Sequence, residues 1–443
     1  MNAPNLISAF WGLDLSTLVA SQSSTKKSRF LIRGAAVVLA AFLFLPVLAS
    51  AQEDTLILLG SNSEMYHIYA VSAYNKNAFV TDDDWGLRVI NYSDPYDPYT
   101  VIRYTESARD IEIRDSLAYY VGGFELHIRD ISDPLESEII GACSIYVYGY
   151  RVHLFDTLAL VMYQAPWLFL YLDILDISDP TDPQPLSRYI SVPPYSTSHW
   201  GDVYKKDNYV YWVDREYSPD AGKIIVFDIT DPTEPVPIVV DTCLPSPPYG
   251  ISIKDDYAYV ALANSPVVDH GGLMVLDISD PYNIDSVGFF EIPQASAFNV
   301  YIKGNLAYVS AHIRLPPYVE GDGVYVLDIS DPTYPSLVTY YHTPGSPRDV
   351  FVDEPYVLVA DYYSLLVFEA TFLNMPGDVN EDGEVDLGDV VFLINYLYKQ
   401  GEEPEPIEAG DVNEDCIVDL GDVIYLINFL YRDGPAPLNG CAG

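Results

Sequence analysis

Asp378, Asn380, Asp382, Asp386 and Asp389 fall at positions 1, 3, 5, 9 and 12 of one twelve-residue stretch. Hard oxygen donors at alternating positions of so short a loop can wrap one Ca²⁺. The backbone carbonyl of Glu384, at position 7, adds a ligand, and Gly383 at position 6 permits the bend. A second copy starts 33 residues later, with Asp411, Asn413, Asp415, Asp419 and Asp422, and Ile417 at position 7. Two calcium ions are therefore expected. The second copy departs at position 6, where Cys416 stands at a place that calls for positive φ and makes a Cβ costly. A Cys416–Cys441 disulfide would steady that bend. Residues 377–443 carry 16 acids and 2 bases. Such a segment repels itself, so metal should be needed for its folding.

No other chemical motif stands out. There is no H-E-x-x-H, no G-x-S-x-G and no glycine-rich phosphate loop after a strand. With 64 acids in the chain, a glycosidase-like carboxylate pair can be neither picked out nor dismissed.

The elements that must position these groups are of two kinds. Each calcium loop runs into an apolar helical pattern, Val390–Tyr398 and Val423–Tyr431, and neither has a strong helix before it. Ahead of them lies a repeat of 39 to 52 residues. Its marker is Leu-Asp-Ile-Ser-Asp-Pro or a close variant, with the second Asp at 94, 133, 179, 231, 280 and 331. Each unit holds four short apolar runs of strand length, in the second Asp110–Arg114, Leu117–Val121, Glu125–Ile131 and Glu136–Ala142. Period-2 alternation and turn residues between the runs predict strands. The marker Asp suits an Asx-turn and the Pro stops the strand, so these aspartates read as structural. Repeated four-stranded units predict a β-propeller. The run Thr55–Gly60 reads as a fourth strand without its own first three, and the seventh unit lacks a fourth. The N-terminal strand would fill that place and close seven blades over about 54–372. An open β-solenoid is the alternative.

A propeller ligand would sit at one mouth of the central channel. Aligning the inner strands puts His67, Asp110, Arg151, Asp202, Gly250, Asn299 and Asp349 at one equivalent position, with Arg109 and Arg348 adjacent. Such a ring of mixed sign would bind a sugar or a carboxylate, or simply form a hydrated funnel of internal salt bridges. The loops between second and third strands vary most in length and carry Trp167, Glu216, Tyr217, Asp269, His270, His312, Arg314, Tyr318 and Glu320. Insertions on one face are what a recognition surface requires.

The whole chain has 443 residues, 64 acids against 22 bases and a formal charge of −42. That argues against nucleic acid or an anionic membrane as partner. Lys26, Lys27, Arg29 and Arg33, the apolar run Gly34–Leu48 and Ala49-Ser50-Ala51 read as a signal peptide over residues 1–51. Export follows, with no membrane span left after cleavage; an uncleaved anchor is the alternative. The expected organisation is leader 1–51, propeller 54–372, linker 373–376, calcium module 377–433 and tail 434–443. Cys143 and Cys243 fall two blades apart and are not expected to pair.

The recurring strand that ends in Asp-Ile-Ser-Asp-Pro resembles the LVIVD-repeat proteins. That implies a propeller-like fold and an exported location, but no reaction. The duplicated loop-helix unit resembles a type I dockerin, which implies a cohesin as partner. In dockerins, loop positions 10 and 11 and helix positions 17, 18 and 22 meet the cohesin. Here these are Leu387, Gly388, Ile394, Asn395 and Lys399, and in the second copy Leu420, Gly421, Ile427, Asn428 and Arg432. The two sets nearly match, so two binding orientations are expected; the other reading makes the Leu and Ile side chains core. The fold class expected is an all-β seven-bladed propeller followed by a small all-α calcium-binding dockerin. Three functional readings follow. The first is an interaction protein whose propeller binds a glycan, peptide or protein. The second is a carbohydrate-active glycosidase or lyase. The third is a dockerin that caps or dimerises the chain.

Overall fold

The structure is a computed structural model. It describes residues 56–438 apart from 64, 66, 83–85, 146–147, 166–168, 191–200, 216–221, 265–270, 293–294, 313–321, 371–375, 381–384, 400, 405–406 and 433. The leader, Cys441 and most of the long-loop residues named above (Trp167, Glu216, Tyr217, Asp269, His270, Arg314, Tyr318 and Glu320) lie outside the described residues. No described helix is long and apolar enough to cross a membrane.

Seven four-stranded antiparallel sheets follow one another along the chain. The first blade begins with β2 (Ile68–Tyr74) and β3 (Asn77–Asp82). The second comprises β6 (Asp110–Arg114), β7 (Leu117–Gly122), β8 (Glu125–Asp130) and β9 (Glu138–Ser144). The third to sixth span 149–190, 201–244, 248–292 and 296–342. The seventh contains β26 (Asp349–Asp353), β27 (Tyr356–Ala360) and β28 (Leu365–Ala370), and its fourth strand is β1 (Leu56–Asn62). Leu56 pairs with Ala370 and Asn62 with Leu365, antiparallel. The N-terminal strand thus covers the outer edge of the last blade and closes the ring.

The second and third strands of each blade are buried on both faces, because a neighbouring blade lies on each side. Ala118, Tyr119, Tyr120 and Val121 in β7 are all buried. Alternation appears in the second half of outer strands such as β9, over Gly141–Ser144, which face solvent on one side. Seven apolar clusters occupy the seven gaps between adjacent blades. Tyr119, Val121 and Ile128 of the second blade meet Val152, Val161 and Tyr163 of the third. Leu358, Ala360 and Val367 of the seventh meet Ile68, Val71 and Val80 of the first.

The marker motif does what its chemistry requires. Asp133 Oδ1 accepts from the Leu135 N–H at 2.9 Å, and Asp94, Asp179, Asp231, Asp280 and Asp331 do the same two residues on. A register shift between third and fourth strands recurs just before it, as at Ile128/Arg129 and Val326/Leu327. The extra residue, Ile140 or Val338 in these two blades, lies on the fourth strand, so the bulge bends the chain as it leaves the turn.

The C-terminal module has two helices, α1 (Leu387–Lys399) and α2 (Leu420–Arg432), with a 3₁₀ turn at Ile407–Gly410 between them. Val379, Val390 and Leu393 of the first copy and Val412, Val423 and Leu426 of the second form one shared core.

Candidate functional sites

The blade register fixes the inner ring. Asp110 lies opposite Val121, Arg151 opposite Met162, Asp202 opposite Val213, Gly250 opposite Ala261, Asn299 opposite Ser310 and Asp349 opposite Ala360. Each pair is eleven residues apart. In the first blade Val71 pairs with Val80 after a bulge that begins at Ile68, which puts Ala70, beside Thr81, in the ring. His67 does not occupy that position. It lies three residues earlier, at φ 79°, with its ring 5.0 Å from that of Tyr362. Choosing a polar residue to match the other blades misplaced it by three residues, of which the bulge supplies one.

The ring acids are used between blades. Asp110 Oδ2 accepts from the Val152 N–H at 2.8 Å, Asp202 Oδ2 from Ile251 at 3.1 Å and Asp349 Oδ2 from Val71 at 2.9 Å. Each carboxylate therefore clasps the residue after the ring position in the next blade. The Asn299 amide donates to Asp349 Oδ1. Arg151 spans the ring, 3.7 Å from Asp110 and 3.6 Å from Asp202. His153 lies 2.9 Å from Asp202 Oδ1 and 3.4 Å from Glu112. Burial pushes Asp110 up to about 7 despite Arg151 and His153. Burial also raises Asp349. Burial opposes charge on His153, but Asp202 and Glu112 outweigh it and hold the imidazole well above its ordinary range. Asp202, pulled down by Arg151 and His153 against the effect of burial, stays below the usual carboxylate range. The result is a compact charge network in a channel cavity of about 380 Å³.

A second, smaller recess of about 40 Å³ lies beside the ring and shares Arg151 with the channel. Every blade contributes the residue just before its ring position: Tyr69, Arg109, Tyr150, Gly201, Tyr249, Phe298 and Arg348. The appearance of Tyr69 in this layer agrees independently with Ala70 in the ring. The Arg109 guanidinium lies 4.9 Å over Tyr69 and that of Arg348 4.5 Å over Phe298. Tyr249 stacks on Phe298 at 4.9 Å and 11°. Of the long-loop residues, His312 is described and pairs with Asp322 at 3.0 Å. Sequence reading found the two arginines beside the ring but missed the aromatic layer. The signal was a residue before the ring position that is aromatic in the first, third, fifth and sixth blades.

In the calcium module Asp382 and Glu384 lie outside the described residues. The second loop is described throughout. Asp411 and Asp422 are fully buried. Asp411 accepts from the Asp415 and Cys416 N–H groups, and Asp422 from those of Asn413 and Asp419. Asp389 in the first loop repeats the pattern, accepting from Val379, Asn380 and Asp386. Among the described residues no three such side chains converge at metal-ligand distance; their oxygens face backbone N–H groups instead. The donor set still fits calcium. Asp422 is raised by burial, with Asp411 and Asp415 adding to it, so carboxylates crowd here. Asp378, Asn380, Asp386 and Asp389, like Asp411, Asn413, Asp415, Asp419 and Asp422, are the described side chains that would hold the ion, with the Ile417 carbonyl. Cys416 has φ 65°, the strained geometry expected at position 6, and is engaged in a disulfide. Cys143 is a free, buried thiol.

Leu387 and Leu420 are 52% and 49% exposed and so are not core. Ile394 and Ile427 pack partly against the shared core. Gly388, Gly421, Asn395 and Asn428 are half-buried, and Lys399 and Arg432 are exposed. Lys399 Nζ donates to Asn395 Oδ1 at 2.9 Å and Arg432 Nη1 to Asn428 Oδ1 at 3.4 Å. Each helix also exposes residues not singled out from the sequence: Val391 and Tyr398 on α1, Ile424 and Tyr431 on α2. They follow the exposed Leu at intervals of four and eleven, one helical stripe.

Comparison with known proteins agrees with this geometry. A family model of the dockerin type I domain matches residues 376–431. The LVIVD repeat model matches 170–190, 249–289 and 295–343. No curated protein matches. Among solved structures, a chain from the crystal structure of a Mitotic Checkpoint Complex is similar at 6% identity and a TM-score of 0.55, covering 81% of this chain and 98% of that one. The Cps50 (Swd1) β-propeller domain of Myceliophteria thermophila is similar at 9% identity and a TM-score of 0.51, covering 70% and 100%. These two likenesses concern the fold alone. The chain carries LVIVD repeats in a seven-bladed β-propeller, followed by a dockerin type I domain.

Proposed function

We propose that this is a secreted, calcium-dependent interaction protein whose dockerin docks to a cohesin-type partner while the propeller presents a binding face. Dockerin domains bind calcium and cohesins. The observation that carries the reading is the pair of matched exposed stripes, Leu387, Val391 and Tyr398 against Leu420, Ile424 and Tyr431, each ending near a base. Two calcium ions, one per loop, would hold the helices that present them. The leader at 1–51 supports export, and the domain limits at 54–372 and 377–433 accompany this reading.

The clasped ring supports binding over hydrolysis. Asp110, Asp202 and Asp349 are committed to neighbouring blades, whereas a glycosidase needs two carboxyl groups facing a substrate. The docking half is tested by titrating a panel of type I cohesins into the full chain, with calcium and then with EGTA. A complex that needs calcium and disappears in Asp378→Ala plus Asp411→Ala is expected; no complex with any cohesin in calcium removes the docking claim. The propeller half is tested by probing glycan and peptide arrays with the full chain.

A further inference from the structure

The recess beside the ring is a cationic, aromatic pocket in an acidic molecule. The chain carries a formal charge of −42, yet the layer of residues before the ring holds Arg109 and Arg348 and no acid. Arg151 beneath them is matched by Asp110 and Asp202. Arg109 makes no ion pair among the described residues; its flat face rests on Tyr69. A guanidinium stacked on a ring keeps its N–H edge available for a carboxylate. The Tyr150 side chain is 8% exposed, lines the same recess, and its hydroxyl has no hydrogen-bond partner among the described residues. A buried hydroxyl in that position calls for a partner that the protein does not supply. Gly201 adds no side chain in the fourth-blade sector, where the Val213 carbonyl and the Asp214 carboxylate, paired with Lys223 at 3.3 Å, lie behind it.

From this geometry we infer that the recess binds the carboxylate of an acidic sugar, a uronate carried on a glycan. The volume of about 40 Å³ holds a carboxylate-sized group, on the order of two or three waters by probe volume, and leaves the sugar ring outside. Arg109 and Arg348 flank the carboxylate and the Tyr150 hydroxyl donates to it. Tyr69, half-buried at the rim, offers aromatic surface to the ring. A rigid pyranose loses less freedom there than a peptide terminus carrying the same charge. This assignment rests on the propeller presenting a binding face and names its ligand class.

The test is calorimetry on the calcium-loaded full chain with three probes: trigalacturonate, the neutral galactose trisaccharide of the same linkage, and a glutamate-rich peptide. The uronate should bind, and the neutral sugar should bind at least about tenfold more weakly. Arg109→Gln with Arg348→Gln should weaken uronate binding by about tenfold or more, and Tyr150→Phe by several-fold, with thermal unfolding of each variant as the folding control. Equal affinity for the neutral sugar, or no effect of the arginine pair in a folded variant, overturns the carboxylate assignment. Peptide binding without uronate binding overturns the sugar assignment. Binding by none of the three overturns the site itself. Array hits that survive in the arginine variant would keep the wider face reading standing while the recess fails.

Discussion

Asp202 is 2% exposed and has four partners: the N–H groups of Val203 and Ile251, His153 at 2.9 Å and Arg151 at 3.6 Å. Removing it leaves Arg151 with Asp110 alone and His153 with Glu112 alone, and frees two buried N–H groups. Asp202→Ala should therefore lose about 3–5 kcal/mol of stability, read from urea unfolding, whereas Asp133→Ala in an exposed Asx-turn should lose about 1 kcal/mol or less. Both are aspartates, and local sequence distinguishes them only by the Pro that follows one. Asp361 offers a pH test. Burial pushes it up to about 7, with Asp322 adding to this and Thr343, Gly345 and His342 opposing. Its folded value lies above the unfolded one, so its contribution is fully present below pH of about 4 and is lost as pH rises through about 7. Asp361→Asn removes that slope. The melting temperature of the variant, relative to the parent, should rise between pH 5 and pH 8; a constant difference would reject the assignment.

At the scale of elements, β1 matters most. It was legible in the sequence because Thr55–Gly60 resembles the run before the second inner strand yet has no blade of its own. Deleting residues 54–62 uncovers β28 along Leu365–Ala370. An open edge on a closed ring should lower the unfolding temperature by several degrees and promote association through the bare strand, seen by scanning calorimetry and light scattering. The dockerin loops are elements of the other kind, since dockerin domains bind calcium and the proposed ions would link their stability to a ligand. At a calcium concentration of 100 times Kd, one site adds about 2.7 kcal/mol. The calcium-induced rise in melting of the module should vanish in Asp378→Ala plus Asp411→Ala. The first blade was where element-level reading failed. A bulge between Ile68 and Val71 accounts for one residue of the three that separate His67 from Ala70; the rest came from seeking a polar residue where the ring has an apolar one.

At the scale of the molecule, the dockerin is a near two-fold object. Its two loop-helix units share one core and expose matching stripes. Cohesin binding should survive Leu387→Asp with Lys399→Glu, survive Leu420→Asp with Arg432→Glu, and fail only when both pairs are changed. A complex abolished by one pair alone would mean a single docking orientation.

Sequence by itself determined the repeat, the strand count per blade, the closing strand, the turn chemistry and the duplicated loop-helix unit. Each of these rests on spacing or on a side chain acting on its own backbone within a few residues, so it is readable locally. The tertiary structure alone decided which acids are clasps, since Asp110, Asp202 and Asp349 act on backbone 42, 49 and 278 residues away. It also decided that one residue from each of seven blades meets in a single aromatic and cationic layer. That convergence comes from closing the ring, and ring closure brings together positions whose separation along the chain carries no signal of contact.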